Sequence, residues 1–325
     1  MKLVLLVVIS FACAVTSTAW EPLSPEETLF IITRCQEDHF RHNLTKLKLW
    51  DNFVLPRDDV DTACYVKCII SMAEQFDNDT NSFKADNVMK QYEAFKSYTK
   101  LKKGDVLAYE KDLRGLGTLK NKGSKSFFNK YLPIYEKHKI VVNKLLLLDA
   151  SIAVAIYKDN PDIKRHNESI FRHCEKKFFK PEDVKKLCNL RKTAVTDHPR
   201  LAEHEACLLR GLRYTRRDGS LNAQEILRDF HLVNITYEDE YLKEVVRNCS
   251  IEESTKDPAY LTCLYAHHEL QGPMWKGTDY REIRSMNYFY LLRDPPEYDP
   301  KEIRMQVCAI DAEVGCVNGR ECAED

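Results

Sequence analysis

Close to the end of the chain, acidic and polar side chains have a spacing that could hold a small molecule. Asp279 and Glu282 are three residues apart, so on a helix they share a face and could bind an ammonium group. The same carboxylates could instead pair with Arg281 or Arg284, and side chains of these types are more often structural than ligand-binding. The residues that follow add hydroxyl and amide groups suited to the edge of a ligand: Ser285, Asn287 and Tyr288.

A basic segment is a second candidate surface. Residues 96–144 contain 13 Lys or Arg and four Asp or Glu, in a chain whose formal net charge is -1. Aromatic residues such as Phe127 and Tyr131 are interleaved with these cations. Most charge runs are solvated faces, but this concentration in one segment could also attract phosphates, carboxylates, anionic polymers or acidic proteins.

Motifs typical of enzymes are missing. The sequence has no G-x-S-x-G, no H-E-x-x-H, no glycine-rich phosphate loop and no kinase signature. Residues 218–225 resemble half of a calcium loop, but Tyr214 and Arg216 would stand at its first ligand positions and cannot bind calcium. We therefore expect a binding protein without catalytic activity, bound metal or cofactor.

The start of the chain indicates secretion. Lys2, the apolar run 3–15 and small residues at 17–19 have the anatomy of a signal peptide, which we assign to residues 1–19. In a secreted protein, disulfides are the leading role for cysteine. Of the 12 cysteines only Cys13 leaves with this peptide, so an odd number remains and at least one is unpaired or pairs between chains. The near-neutral charge predicts no nucleic-acid or membrane partner.

Cysteine spacing limits the disulfides without fixing them. Cys64 and Cys68 lie one turn apart on one helix face, so each must link its helix to another element. Cys249 and Cys263 lie at the ends of a short loop and form a good local pair. The other candidates are Cys35, Cys174, Cys188, Cys207, Cys308, Cys316 and Cys322.

Helical periodicity dominates both halves, and we expect an all-α fold without a sheet. Ser24 followed by Pro25 and two acids predicts a helix start. The nearly all-apolar run 137–158 predicts one long buried helix, ended by Pro161. The polar segment 158–166 predicts a boundary between a domain of residues 20–160 and a domain of residues 161–325.

A faint internal repeat suggests that one helical domain was duplicated. The sequence around Cys64 aligns with that around Cys207, and Ala85 with Ala223. Chance similarity between amphipathic helices is the alternative.

Several motifs together match a known family. They are Pro-Glu-Glu-Thr-Leu-Phe from Pro25, Thr33-Arg-Cys35, Trp50, Cys64-x3-Cys68, Cys174-Glu-Lys-Lys-Phe, Cys207, Cys249 with Cys263, and Asp279-Tyr-Arg-Glu282. The chain thereby resembles the long-form D-seven salivary proteins of blood-feeding mosquitoes over essentially all its mature length. The resemblance implies two disulfide-stapled, odorant-binding-protein-like helical domains in tandem. It also implies a monomer secreted in saliva that sequesters small host mediators of haemostasis and inflammation, without turnover.

The resemblance places an amine pocket in the second domain. Its polar positions are Arg191, His204, Asp279 and Glu282, where the acids would pair with the ammonium group of a biogenic amine. Two aromatic walls of that pocket are changed here, since Thr193 and Leu261 stand where the family has Tyr. Loss of an aromatic wall removes about 0.5–2 kcal/mol of cation–π contact.

A nucleotide site is implied where the two domains meet. The matching residues are Tyr157, Lys164, Ser285, Asn287, Tyr288 and Arg293. Lys164 and Arg293 would face phosphates, and the polar residues 285–288 would hold the base. Ala153 and His166 stand where the family has Arg and Lys.

A lipid pocket is implied in the first domain, where Trp50 matches a pocket residue. The fourth cysteine of that domain is absent from residues 121–129, which would leave Cys64 without its usual partner. Among the implied ligands we favour adenine nucleotides, then amines or cysteinyl leukotrienes, with inhibition of platelet aggregation and vasoconstriction as the outcome. The alternative function is an anticoagulant whose basic segment binds clotting proteins or anionic polymers.

Overall fold

The structure, a computed structural model, describes residues 20–40, 43–165, 168–193, 197–217, 219–237, 239–252, 259–285 and 298–316, so the assigned signal peptide lies outside it. Their regular secondary structure is almost entirely helical, as predicted. The first half contains α1 (Pro25–His39), α2 (Leu44–Asp51), α3 (Val60–Met72), α4 (Asp86–Thr99), α5 (Lys103–Leu116), α6 (Ser124–Leu145) and α7 (Ala150–Asp159). The second half contains α8 (Ile170–Phe178), α9 (Val184–Thr193), α10 (Leu201–Leu212), α11 (Ala223–Leu232), α12 (Asp239–Glu252), α13 (Ala259–Ala266), α14 (His268–Ser285) and α15 (Pro300–Glu313).

The expectation of no sheet is wrong in one place. Phe76–Asp77 (β1) pairs antiparallel with Ser82–Phe83 (β2), and Phe76 lies opposite Phe83. The two strands have two residues each, which is too short for an alternating pattern to show in the sequence. The hairpin forms the connection between α3 and α4.

The long helix predicted for 137–158 is two helices. α6 begins at Ser124 and ends at Leu145, and Leu147 then adopts a left-handed backbone with φ of +54°. Asp149 caps α7, because its side chain accepts a hydrogen bond from the backbone N–H of Ser151. By length and composition alone, residues 124–159 are apolar enough to cross a membrane, which the sequence reading had not recognised. In the fold, however, the segment is divided into two helices at Leu147. Its apolar residues, among them Phe127, Phe128 and Val142, pack in the first core.

Two hydrophobic cores organise the helices. One is built from residues between Leu23 and Leu146, around α1–α6, and the other from residues between Ile170 and Val307, around α8 and α10–α15. No apolar cluster described here spans both sets. A smaller cluster of Leu147, Ile152 and Ile156 packs against both Phe95 and Ile163, and the division at residue 160 stays a prediction.

Among the described residues, four disulfides join eight of the candidate cysteines in pairs. Cys35–Cys68 and Cys174–Cys207 each close a separation of 33 residues with a Cα–Cα distance of 5.8 Å. The two halves therefore correspond at an offset of 139 (174 − 35 = 207 − 68), and the earlier alignment of Cys64 with Cys207 is wrong by one helical turn. The other pairs are Cys188–Cys316 and Cys249–Cys263, and Cys64 is a free thiol.

The first helix joins the two halves through buried ion pairs. Arg34 on α1 donates one nitrogen to Glu225 of α11 and another to Glu37, both at 2.6 Å. Arg284 of α14 reaches the other oxygen of Glu37 at 2.8 Å. More exposed, Arg228 contacts Asp38 at 2.6 Å. We use the word junction for this contact of α1 with α8, α10, α11 and α14.

Gly211 allows α8 and α10 to pack closely. A Cβ atom built on Gly211 would overlap the Cγ1 and Cδ1 atoms of Ile170. We expect Gly211→Ala to lower the free energy of unfolding by about 1–3 kcal/mol, because the interior cannot absorb an added methyl group. Urea unfolding followed by circular dichroism measures this loss, and adding Ile170→Val should recover part of it. Equal unfolding midpoints for Gly211→Ala and the parent would contradict the prediction.

Candidate ligand-binding sites

The junction contains a cavity of about 560 Å³, open on one side, between the start of α1 and helices α8 and α10. Its floor is apolar, with Ile163, Ile170 and Phe178. Its charged lining consists of Glu26, Glu27, Glu203, Lys164, Lys177, Arg210, Arg213 and the imidazole of His173. A mixed lining of this kind suits a ligand with both an apolar and an anionic part.

Two of the predicted nucleotide residues meet at the edge of this cavity. The Tyr157 hydroxyl donates to one oxygen of Glu26 at 2.7 Å, and the Lys164 ammonium donates to the other at 3.2 Å. Lys164 is only 5% exposed, and this burial lowers its pKa while Glu26 opposes the shift. The sequence reading missed Glu26, although it lies in the Pro-Glu-Glu motif. Tyr157 and Lys164 thus already hold one carboxylate.

The other predicted nucleotide residues are less informative. Ser285 is fully buried and donates to the backbone oxygen of Glu282 at 3.0 Å. Asn287, Tyr288 and Arg293 lie outside the described residues, as does His166. Ala153 lines a second, more apolar cavity of about 210 Å³ beside Tyr157.

A buried ionic cluster lies inside the second core. Arg191 on α9 donates to Glu175 at 2.5 Å, to Asp311 at 2.6 Å and to Glu282 at 3.1 Å. All four side chains are at most 3% exposed. Burial alone would lower the pKa of Arg191, but the attraction of the carboxylates outweighs it and raises the pKa above its ordinary value. Glu175 has a second partner in Arg172, so three carboxylates face two guanidinium groups within the described part of the chain.

Polar atoms of this cluster lack partners among the described residues. They are Oε2 of Glu282, Oδ2 of Asp311 and both ring nitrogens of His204. Burial and the charge of Arg191 lower the pKa of His204 to about 3, so its ring is neutral at pH 7. Unpaired buried acceptors beside a surplus negative charge are suited to a bound cation.

The amine residues predicted from the resemblance are only partly brought together. Arg191 and Glu282 are in contact, and His204 lies close enough to feel the charge of Arg191. Asp279 is only partly buried and lies near Tyr298. Burial is the main cause that raises the pKa of Tyr298, and the negative charge of Asp279 raises it further. Glu175 and Asp311, which the prediction omitted, complete the cluster. Leu261 is buried in the second core, and the side chain of Thr193 lies outside the described part.

Trp50 is enclosed in the first core. Its ring stacks on Tyr65 with centroids 4.1 Å apart, and its indole N–H donates to the hydroxyl of Thr62 at 2.9 Å. The side chain is 1% exposed, its one polar atom is hydrogen-bonded, and it packs as part of the core. Its predicted contact with a lipid stays a prediction.

Ion pairs offset part of the basic segment. Lys96 and Lys103 contact Glu93, Arg114 contacts Asp86 and Glu110, and Lys137 contacts Asp112. These pairs are exposed, so solvent screens them and the surface stays basic.

The relatives of the chain identify its family. Over 307 residues it is 36% identical to the long form salivary protein D7L1 of Culex quinquefasciatus, which covers 93% of this chain and 96% of that protein. The chain belongs to the long-form D7 salivary proteins. No family model matches it.

Solved structures of long-form D7 proteins share the fold. The Culex quinquefasciatus D7 long form 1, solved in complex with ADP, has a TM-score of 0.81 and 34% identity, covering 91% of this chain and all of that one. The AeD7–leukotriene E4 complex has a TM-score of 0.77 and 28% identity, covering 86% and 96%. These similarities confirm the predicted helical, odorant-binding-protein-like fold. As a D7 protein, the chain belongs to a group whose solved members bind small ligands.

Proposed function

We propose that this D7 protein is a secreted salivary scavenger whose junction captures adenine nucleotides. The observation that carries the proposal is the convergence of the Tyr157 hydroxyl and the Lys164 ammonium on the carboxylate of Glu26, at the edge of a 560 Å³ cavity. Groups that hold a buried carboxylate can also hold a phosphate oxygen. The relative solved with ADP supports the same ligand class.

Binding without turnover is sufficient for this role. Removing ADP released at a bite would deprive platelets of an agonist and so favour blood feeding. Effective capture needs a Kd of about 1–100 nM, which corresponds to about 10–12 kcal/mol of binding free energy. The phosphates must displace Glu26 from Lys164, so part of the interaction energy is lost in that exchange.

The nucleotide proposal is tested by isothermal titration calorimetry of residues 20–325 with ADP. We expect saturable binding below 1 µM, and a loss of about 100-fold in Lys164→Ala combined with Arg293→Ala, because charge-assisted contacts to phosphate disappear. Lys158→Ala, on the exposed face of α7, is the matched control and should bind as the parent does. Unchanged ADP affinity in the double variant would reject the junction site.

The cluster around Arg191 supports a second candidate ligand, a biogenic amine. The specific observation is the pair of unpartnered carboxylate oxygens on Glu282 and Asp311. An ammonium group placed there would satisfy both and balance the surplus negative charge. Titration with serotonin, histamine and noradrenaline should give heat that Glu282→Gln removes. Heat with none of these ligands, nor with ADP or leukotrienes, would favour the anticoagulant that binds anionic polymers or clotting proteins.

A further inference from the structure

The connection between α11 and α12 contains a sequence motif that the proposed ligand sites do not use. Asn-Ile-Thr from Asn234 has the form of an acceptor for N-linked glycosylation. Further motifs of this form begin at Asn43, Asn78, Asn167 and Asn248, of which Asn167 lies outside the described residues. Such short motifs also arise by chance, so the local structure must decide which of them is suited to carry a glycan.

Asn234 lies where α11 has ended and the chain changes direction. Its φ of +61° is left-handed, a conformation that asparagine adopts more readily than most residues do. Its backbone N–H donates to the carbonyl of His231 at 3.0 Å. This role at the end of a helix uses the backbone alone. The side-chain amide is exposed and has no hydrogen-bond partner among the described residues, so its nitrogen is accessible to modification.

The residues that follow hold this amide in solvent. Ile235 is 5% exposed and packs in the second core, and its N–H donates to the carbonyl of Phe230 at 2.9 Å. Thr236 is exposed, and its hydroxyl, which the acceptor motif requires, has no partner in the described part of the chain. Tyr237 is 76% exposed. The connection is therefore anchored by one buried residue and leaves room for a bulky sugar on its outer side.

The other described motifs are more constrained. Oδ1 of Asn43 accepts a hydrogen bond of 3.0 Å as the cap of α2, and Oδ1 of Asn78 accepts one of 3.3 Å from a serine hydroxyl. Asn248 is partly buried within α12, and the middle residue of its motif is Cys249, which is bonded to Cys263. Asn234 is therefore the best-placed acceptor among the motifs that the structure describes.

We infer that Asn234 carries an N-linked glycan on the secreted protein. The inference rests on the proposed secretion of the chain and does not depend on the nucleotide site. In the transfer, Nδ2 of Asn234 forms a bond to the anomeric carbon of an oligosaccharide that is carried on a lipid diphosphate. The bond from that carbon to the diphosphate oxygen breaks, the lipid diphosphate leaves, and the amide gives up one proton. Asn234 lines neither of the two cavities, so ligand binding should not depend on the glycan.

Mass spectrometry of the full chain, expressed in insect cells and collected from the medium, tests this inference. Trypsin releases residues 229–243, a peptide that contains a single acceptor motif. Enzymatic removal of N-glycans in heavy-oxygen water should convert residue 234 of this peptide to labelled aspartate. Asn234→Gln and Thr236→Ala should each remove one glycan and increase the mobility of the protein on denaturing gels. Thr236→Ser is the matched control, because it keeps the motif and should keep the glycan.

The outcomes separate the inference from the proposed function. Secreted protein whose 229–243 peptide is unmodified overturns the inference, and ADP titration of the same protein tests the nucleotide proposal independently. A glycosylated protein that binds no ADP, before or after removal of the glycan, supports the inference and rejects the nucleotide proposal. If the native chain stays inside the cells, the proposed secretion fails. A chain in which the signal peptide of another secreted protein replaces residues 1–19 then gives the answer: a modified 229–243 peptide supports the inference and an unmodified one overturns it.

Discussion

Replacing Arg191 by methionine is expected to lower the free energy of unfolding by about 3–5 kcal/mol. Arg191 is the only side chain that contacts Glu175, Glu282 and Asp311 together within the described part of the molecule. Methionine fills the volume but leaves these carboxylates buried beside one another, with Arg172 as the one remaining cation among the described residues and the Ser169 hydroxyl as a neutral donor to Glu282. Guanidinium chloride unfolding at pH 7, followed by circular dichroism, measures the loss.

Arg172→Met is the matched control for this prediction. Arg172 contacts the same Glu175 at 3.0 Å but is 23% exposed, so its loss should cost about 1 kcal/mol or less. A deficit equal to that of Arg172→Met would contradict the assignment.

Arg34→Met is expected to cost about 3–5 kcal/mol as well, because it breaks the buried pair between α1 and α11. Arg34 is 2% exposed and contacts Glu37 and Glu225 at 2.6 Å each. Among the described cations, its removal leaves Glu225 with a distant contact to Arg281 at 3.8 Å. Amide hydrogen exchange should show the earliest loss of protection along α1 and α11, where the two halves meet.

Arg228→Met provides the comparison at the same junction. It contacts Asp38 across the two halves at 2.6 Å but is 27% exposed. We expect about 1 kcal/mol or less for this change. If both variants unfold alike, burial of Arg34 contributes nothing to the junction and the prediction is wrong.

Local features of the fold were predictable from sequence, and long-range ones were not. Ser24 and Pro25 start α1 as expected, since capping depends on neighbours within one turn. The break at Leu147 was missed because a run of leucines carries no turn residue to announce it. Cys64 was aligned with Cys207 because both Cys64 and Cys68 match the repeat pattern. Only the disulfide between Cys35 and Cys68 shows that Cys68 is the residue that corresponds to Cys207.

The same division holds for the candidate sites. Arg191 and Glu282 were identified by resemblance, and they do meet. Asp311 was missed because it comes from α15, which is 120 residues away along the chain and is held near α9 by Cys188–Cys316.

The long separation of Arg34 and Glu225 along the chain bears on the order in which the protein folds during its synthesis. The two residues are 191 positions apart, so the first core can form while its partner is still being translated. Until then Arg34 and Glu37 face water on a nascent half-molecule that is already linked by Cys35 and Cys68. We therefore expect the two cores to dock in the last step of folding, in which the charges of α1 lose water as α11 and α14 pack against them.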